Sequence, residues 1–237
     1  MKMERVETRI PGLDEMLDGG LPKGSSTIVS GGCGSGKTTL CMQYLYNGAE
    51  HFEENGVYVS FNETPLMLNQ YMDQYGWDLK RLEENGSLNI MRLDPADVMQ
   101  VIREDYGEIR DTLKSTGAKR FVLDPLTTFN IIVKDPFDRK MSLMKFCEWL
   151  RKNTCTSLMT VEADRLPASA ENLGFEGYVA DGVIMLYNLQ SRNVRQNAIE
   201  ILKMRGSNHS KKIVPFIFEK GIKVSPEEKL FWQPERL

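Results

Sequence analysis

The chain has little cysteine, no excess of charge and no long apolar run, and each shortage removes a class of protein. Four cysteines (Cys33, Cys41, Cys147 and Cys155) stand singly among 237 residues. None belongs to a CxxC pair or a Cys/His ligand spacing, so neither a disulfide framework nor a zinc site is expected. The 30 basic and 33 acidic residues leave a formal charge of −3. Nothing in that total draws nucleic acid or an anionic membrane. No segment approaches the ~18 apolar residues of a membrane helix, and the start, Met-Lys-Met-Glu-Arg-Val-Glu, lacks the apolar stretch of a signal peptide. A reduced, cytoplasmic protein is the expectation. Low-complexity linkers and solenoid-length repeats are also lacking. The economical organisation is one domain over 1–237, with a charged tail from about 225.

What is present is 41% hydrophobic and 27% charged residues, enough for an ordinary domain with a real core. Short β-rich runs alternate with helical periodicity. Ser25–Gly31 reads as a strand, Lys37 to about His51 as a helix, Val57–Phe61 as a strand and Pro65–Tyr75 as a helix. Ser87–Leu93 is the next strand, Val98–Ser115 a long helix, Arg120–Asp124 a strand, Arg139–Lys152 a helix and Thr156–Glu162 a strand. Each crossover is of βαβ type, and the nearly all-apolar Arg120–Asp124 suits a parallel sheet buried on both faces. After Gly182 the strands Val183–Leu189, Ala198–Met204 and Ile213–Val224 follow without helices. The fold class is α/β: a mainly parallel sheet flanked by helices, with an antiparallel C-terminal edge.

Between the first strand and the first long helix lies Gly31-Gly32-Cys33-Gly34-Ser35-Gly36-Lys37-Thr38, which fits GxxxxGK[ST] in the context that motif requires. Glycines let the backbone wrap phosphates, while loop N–H groups and the helix start present positive charge to an anion. Gly32, Cys33, Gly34, Ser35, Gly36, Lys37, Thr38 and Thr39 are therefore candidates for binding ATP. Lys37 adds a full charge at the β- and γ-phosphates, and Thr38 offers its hydroxyl to Mg2+. Asp124 ends an apolar strand and is the candidate second magnesium ligand.

The chain resembles the KaiC-like branch of the RecA superfamily from about Arg5 to Val224. The resemblance is carried by Ile10-Pro11-Gly12-Leu13-Asp14-Glu15-Met16-Leu17-Asp18-Gly19-Gly20-Leu21-Pro22 and by the phosphate loop. Tyr58-Val59-Ser60-Phe61-Asn62-Glu63-Thr64-Pro65, Tyr75-Gly76-Trp77-Asp78 and Lys203-Met204-Arg205-Gly206-Ser207-Asn208-His209 add to it. It implies a RecA-like P-loop ATPase working as a homo-oligomer, a hexamer by the family's habit, with an unidentified protein partner. Two adjacent carboxylates polarise the attacking water in this family. Here the pair is Asn62-Glu63, which leaves Glu63 as the catalytic acid and an amide that cannot accept a proton. The resemblance places Lys203 and Arg205 on a neighbouring subunit's γ-phosphate as catalytic cations, and the two share a strand face. His209 is placed beside the same nucleotide, a polar turn histidine being the alternative. Gly177 and Tyr178 fall where the clock members carry a Ser-Thr phosphoacceptor pair, so autokinase activity is not expected.

Two other functions stay open. A nucleotide-gated scaffold would bind ATP and scarcely hydrolyse it, as Asn62 permits. A recombinase-like, DNA-associated ATPase would use the loops around Thr127–Asp138 and Asp164–Gly177, and the acidic total argues against it. The methionines at 67, 72, 141 and 144 are read as core filling.

Overall fold

The computed structural model describes residues 3–94, 107–162, 174–191 and 193–231. In chain order its elements are β1 (Arg5–Val6), α1 (Leu13–Met16), β2 (Leu21–Pro22), β3 (Ser26–Gly31), α2 (Lys37–Phe52), β4 (Gly56–Ser60), α3 (Pro65–Asp73), α4 (Leu79–Glu84) and β5 (Leu88–Arg92). Then come α5 (Gly107–Thr116), β6 (Arg120–Asp124), α6 (Thr127–Ile132), α7 (Pro136–Lys152), β7 (Thr156–Glu162) and α8 (Phe175–Val179). The chain closes on β8 (Gly182–Ser191), β9 (Val194–Met204), β10 (Val214–Phe218) and β11 (Ile222–Val224).

Strands β3, β4 and β6 are buried along their whole length. A strand so fully buried needs cover on both faces, and parallel pairing with helical crossovers supplies it. The main sheet runs β11-β10-β9-β8-β3-β7-β6-β4-β5, while β1 and β2 form a separate antiparallel pair. Pairing is parallel from β8 to β5 and antiparallel from β8 to β11. One face packs Tyr58, Val122 and Leu158 against Leu40, Tyr44 and Leu45 of α2. The other packs Phe121 and Met159 against Phe146 and Leu150 of α7.

Local chemistry sets the helix starts. Thr64 and Asp135 accept from Met67 N (3.3 Å) and Asp138 N (2.9 Å), each just before a proline in the first turn. At the end of the sheet where β6 begins, Arg120 is 1% exposed. Its guanidinium donates to Glu54 Oε2 (2.7 Å), Tyr44 O (2.9 Å) and Glu7 O (2.9 Å). Gly48 makes the room, since a Cβ there would lie 2.4 Å from Arg120 Cδ.

Several expectations are corrected. Ile213–Val224 is two strands, because the chain turns back between Phe218 and Ile222 through Gly221 at φ +112°. Thr127–Ile132, expected as loop, forms a short helix, and Leu79–Glu84 is a helix capped by Asp78 that the periodicity did not reveal. Met72 is core, whereas Met67 and Met144 are exposed. The first part of the long helix expected over Val98–Ser115 and most of the loop expected over Asp164–Gly177 lie outside the described residues. Among the described residues no helix is long and apolar enough to cross a membrane.

Candidate functional site

The phosphate loop leaves β3 at Gly31, where there is no room for a side chain: a Cβ there would sit 2.6 Å from Leu186 O. Gly34 (φ +69°) and Gly36 (φ +95°) hold left-handed conformations that favour glycine. Gly36 is the N-cap of α2, a helix of 16 residues with no acid in its first turn, so its free N–H groups keep their positive potential. Lys37 Nζ folds over the loop and donates to Gly31 O and Gly32 O, each at 2.9 Å.

Asp124 faces this loop from β6 and accepts three hydroxyls. Thr38 Oγ1 and Tyr58 OH donate to Oδ2 at 2.8 and 2.5 Å, and Thr160 donates to Oδ1. Tyr58 is fully buried; burial first, and the Asp124 charge second, push its phenol well above the usual range, so it stays a donor. The Thr38 hydroxyl and Asp124 carboxylate are hard oxygen ligands side by side. Among the described residues no group of three or more acid, His or Cys side chains could hold a metal by itself. The pair therefore fits a cation that completes its shell with phosphate oxygens and water, as magnesium does.

Beyond β4 the chain turns sharply because Ser60 Oγ accepts from both Asn62 N (3.2 Å) and Glu63 N (2.9 Å). Asn62 is exposed and Glu63 half-buried. Burial raises the Glu63 carboxyl above the ordinary carboxylate range, Asp124 adds to this, and Glu162 contributes further.

A cleft of ≈ 450 Å³ runs from Gly34–Thr39 to Gln74, Tyr75 and Phe218. The Phe218 ring closes on the loop, within 2.8 Å of where a Gly36 Cβ would stand. Tyr75 is braced by Trp77, with ring centroids 5.0 Å apart, and Trp77 stacks on Tyr46 of α2. The cleft thus has an anion-binding end and an aromatic end.

Lys203 and Arg205 come together, as their spacing predicts, but not at their own chain's phosphate loop. Lys203 Nζ donates to Gly177 O (2.9 Å) and Ala180 O (2.6 Å), and Arg205 Nη2 to Tyr178 O (2.8 Å). Asp181 lies 3.8 Å from Arg205 and accepts from Arg151 at 2.6 Å. The pairings Met204↔Gly182 and Gly182↔Thr27 set these cations beside the start of β3, the end opposite the phosphate loop. Burial, then Arg205, lowers the Lys203 ammonium, and Asp181 opposes the shift. His209 is buried, with Nδ1 2.9 Å from Ser210 O and Nε2 2.9 Å from Lys211 Nζ. An imidazole nitrogen facing an ammonium accepts from it, which makes Nδ1 the protonated one.

Sequence reasoning missed Tyr58, Thr160, Ser60, Tyr75 and Phe218. The usable signal for the first three is a hydroxyl inside an otherwise apolar parallel strand, where a buried polar group must have a partner. No signal marks Phe218.

Together the sheet order and the loop at the end of β3 define a P-loop nucleotide-binding domain of RecA architecture. The family model for the KaiC ATPase matches residues 6–229, and the chain belongs to that family. It is 34% identical over 232 residues to the circadian clock oscillator protein KaiC of Picosynechococcus sp., covering 94% of this chain and 45% of that protein. It is 33% identical over 233 residues to the circadian clock protein KaiC3 of Synechocystis sp., covering 94% of this chain and 46% of the relative. The chain thus spans less than half the length of these curated relatives. A KaiC-like protein from the hyperthermophilic archaeon Pyrococcus horikoshii superimposes with a TM-score of 0.83 at 31% identity, covering 95% of this chain and 100% of the other.

Proposed function

We propose that the chain binds ATP with magnesium in the cleft and hydrolyses it in a homo-oligomer, a hexamer by family habit, whose subunits share each site. The observation that carries this is the 2.8 Å bond from Thr38 to Asp124 beside the phosphate loop, which sets a hydroxyl and a carboxylate where a triphosphate's metal would be held. The loop N–H groups and Lys37 bind the β- and γ-phosphates, and the aromatic end of the cleft takes the nucleoside. Magnesium supplies charge neutralisation at the phosphates when bound. Glu63, anchored through Ser60, orients the attacking water. Lys203, Arg205 and His209 act on the nucleotide of a second copy, a reading supported for Lys203 and Arg205 by their lying at the opposite end of β3 from their own loop.

The test is ATP hydrolysis against protein concentration, with mass measured in parallel, for wild type, Lys37→Ala and Arg205→Ala. Specific activity should rise with assembly and fall in Arg205→Ala while ATP binding persists. Phosphate release no greater than that of Lys37→Ala at every concentration would end the ATPase reading.

A second reading is favoured by Asn62, an exposed amide beside the half-buried Glu63. It is a scaffold in which ATP orders the subunit contact and turnover is slow. Asn62→Glu separates the two: a marked gain in turnover identifies a slowed site, and no gain leaves Glu63 as the principal water-orienting group.

A further inference from the structure

Across the carboxyl ends of the parallel strands the order is β3, β7, β6, β4. Along that edge lie the phosphate loop after β3, the end of β7, Asp124 at the end of β6 and Glu63 just past β4. The end of β7 is Glu162. In strand order it falls between the phosphate loop and Asp124, with Glu63 on the far side of Asp124.

Register narrows the placement. Gly31, the first residue of the loop, pairs with Glu162. Leu123 pairs with Met159, which puts Thr160 next to Asp124, and the Thr160 hydroxyl donates to that carboxylate. Side chains two apart on a strand share a face, so Glu162 projects from the face that carries Thr160, Asp124 and Thr38. Glu162 is exposed at the strand end. Its charge reaches Glu63, where it adds to the effects of burial and of Asp124.

We infer that Glu162 is a further catalytic residue, the carboxylate that accepts the proton of the attacking water; this rests on the hydrolysis proposed above. The water oxygen forms its bond to the γ-phosphorus as the bond from phosphorus to the β,γ-bridging oxygen breaks. ADP leaves with that electron pair, and the water proton passes to Glu162. Glu63 orients the water from the β4 side. The amide of Asn62 cannot take a proton, so the second acid of the site comes from β7 instead of from the position beside Glu63. Exposure lets Glu162 return the proton to solvent between turnovers.

The experiment compares wild type, Lys37→Ala, Glu162→Gln and Glu162→Asp in the full chain, measuring kcat, ATP affinity and mass. Glu162→Gln should lower kcat about 100-fold, the scale of a lost general base, with ATP affinity and assembly unchanged. Glu162→Asp should restore part of kcat. A merely structural role would shift ATP affinity or mass along with kcat, and that pattern overturns the assignment. So does an unchanged kcat in Glu162→Gln when wild type exceeds Lys37→Ala. Wild type that releases no more phosphate than Lys37→Ala overturns the ATPase reading and this assignment with it.

Discussion

The Gln43 carboxamide grips the backbone of Ile222 from both sides: Ile222 N donates to Oε1 at 2.7 Å and Nε2 donates to Ile222 O at 3.2 Å. Gln43 sits on the helix that begins at the phosphate loop, and Ile222 begins the strand paired with Phe218. One buried amide therefore fastens the aromatic end of the cleft to the element that forms its anion end. Gln43→Ala leaves a buried backbone donor and acceptor unpaired. We expect a loss of about 1–3 kcal/mol in urea unfolding. ATP affinity should weaken as well, because Phe218 loses its anchor.

Gly36→Ala should spare the sheet and abolish the site. The residue holds φ +95°, and a Cβ would stand 2.8 Å from Phe218 Cζ. The left-handed backbone alone costs roughly 1–2 kcal/mol for a residue with a side chain. The expected result is a cooperative melt slightly below wild type, with no further rise on adding MgATP. A normal ligand-induced rise would show that the loop tolerates the side chain.

Asp124→Asn keeps acceptor capacity for the hydroxyls of Tyr58 and Thr38 but removes the charge. Thermal stabilisation by ATP should then lose most of its dependence on magnesium, which in wild type should exceed that given by ATP with EDTA. Equal magnesium dependence in both proteins would remove Asp124 from the metal site.

Arg120→Met tests the end of the sheet away from the phosphate loop. It strands Glu54, Tyr44 O and Glu7 O, three partners of a guanidinium that is 1% exposed. Breaking a buried pair from one side typically costs about 3–5 kcal/mol, and the partial exposure of Glu54 sets the expectation at the lower end. Glu54→Gln, which leaves both carbonyl contacts in place, should cost much less in the same denaturant titration.

Glu200 gives a pH signature. Burial raises its carboxyl above the ordinary glutamate value of 4.5, partly opposed by the hydrogen bond from Tyr187. A carboxyl raised by folding binds more protons in the native than in the unfolded state between the two pKa values, so stability falls as pH rises through that window. The cost is fully present above the folded pKa and vanishes below the unfolded one. Glu200→Gln should accordingly raise Tm relative to wild type at pH 7, with the gain shrinking toward zero below pH 4.5.

Elements bounded by strong local signals were legible in the sequence. Arg120–Asp124 and Thr156–Glu162 have the limits their apolar runs announce, and the phosphate loop lies between strand and helix as the motif requires. The turn that splits β10 from β11 was lost because Glu219-Lys220-Gly221 interrupts the apolar pattern only briefly. The support of Asp124 was lost for a different reason: Tyr58 lies 66 residues from it and Thr160 lies 36, and only the strand order brings them together. Likewise the spacing of Lys203 and Arg205 revealed a shared face, while the end of the sheet they occupy depends on β9 running antiparallel to β8.

That same sheet order bears on how the chain folds. The strands β8 and β9 pair from Ser191 and Val194 onward, residues close in sequence, a pairing that costs little chain entropy. The central strand β3 has no such near neighbour: Ser26 bonds to Ser157 and Asp181 at sequence separations of 131 and 155. Distant pairings carry the larger loop-closure cost, so we expect β3 to be set between β7 and β8 late in folding. Since the phosphate loop is the continuation of β3, nucleotide affinity should appear last on refolding, making ATP a ligand that recognises only the finished protein.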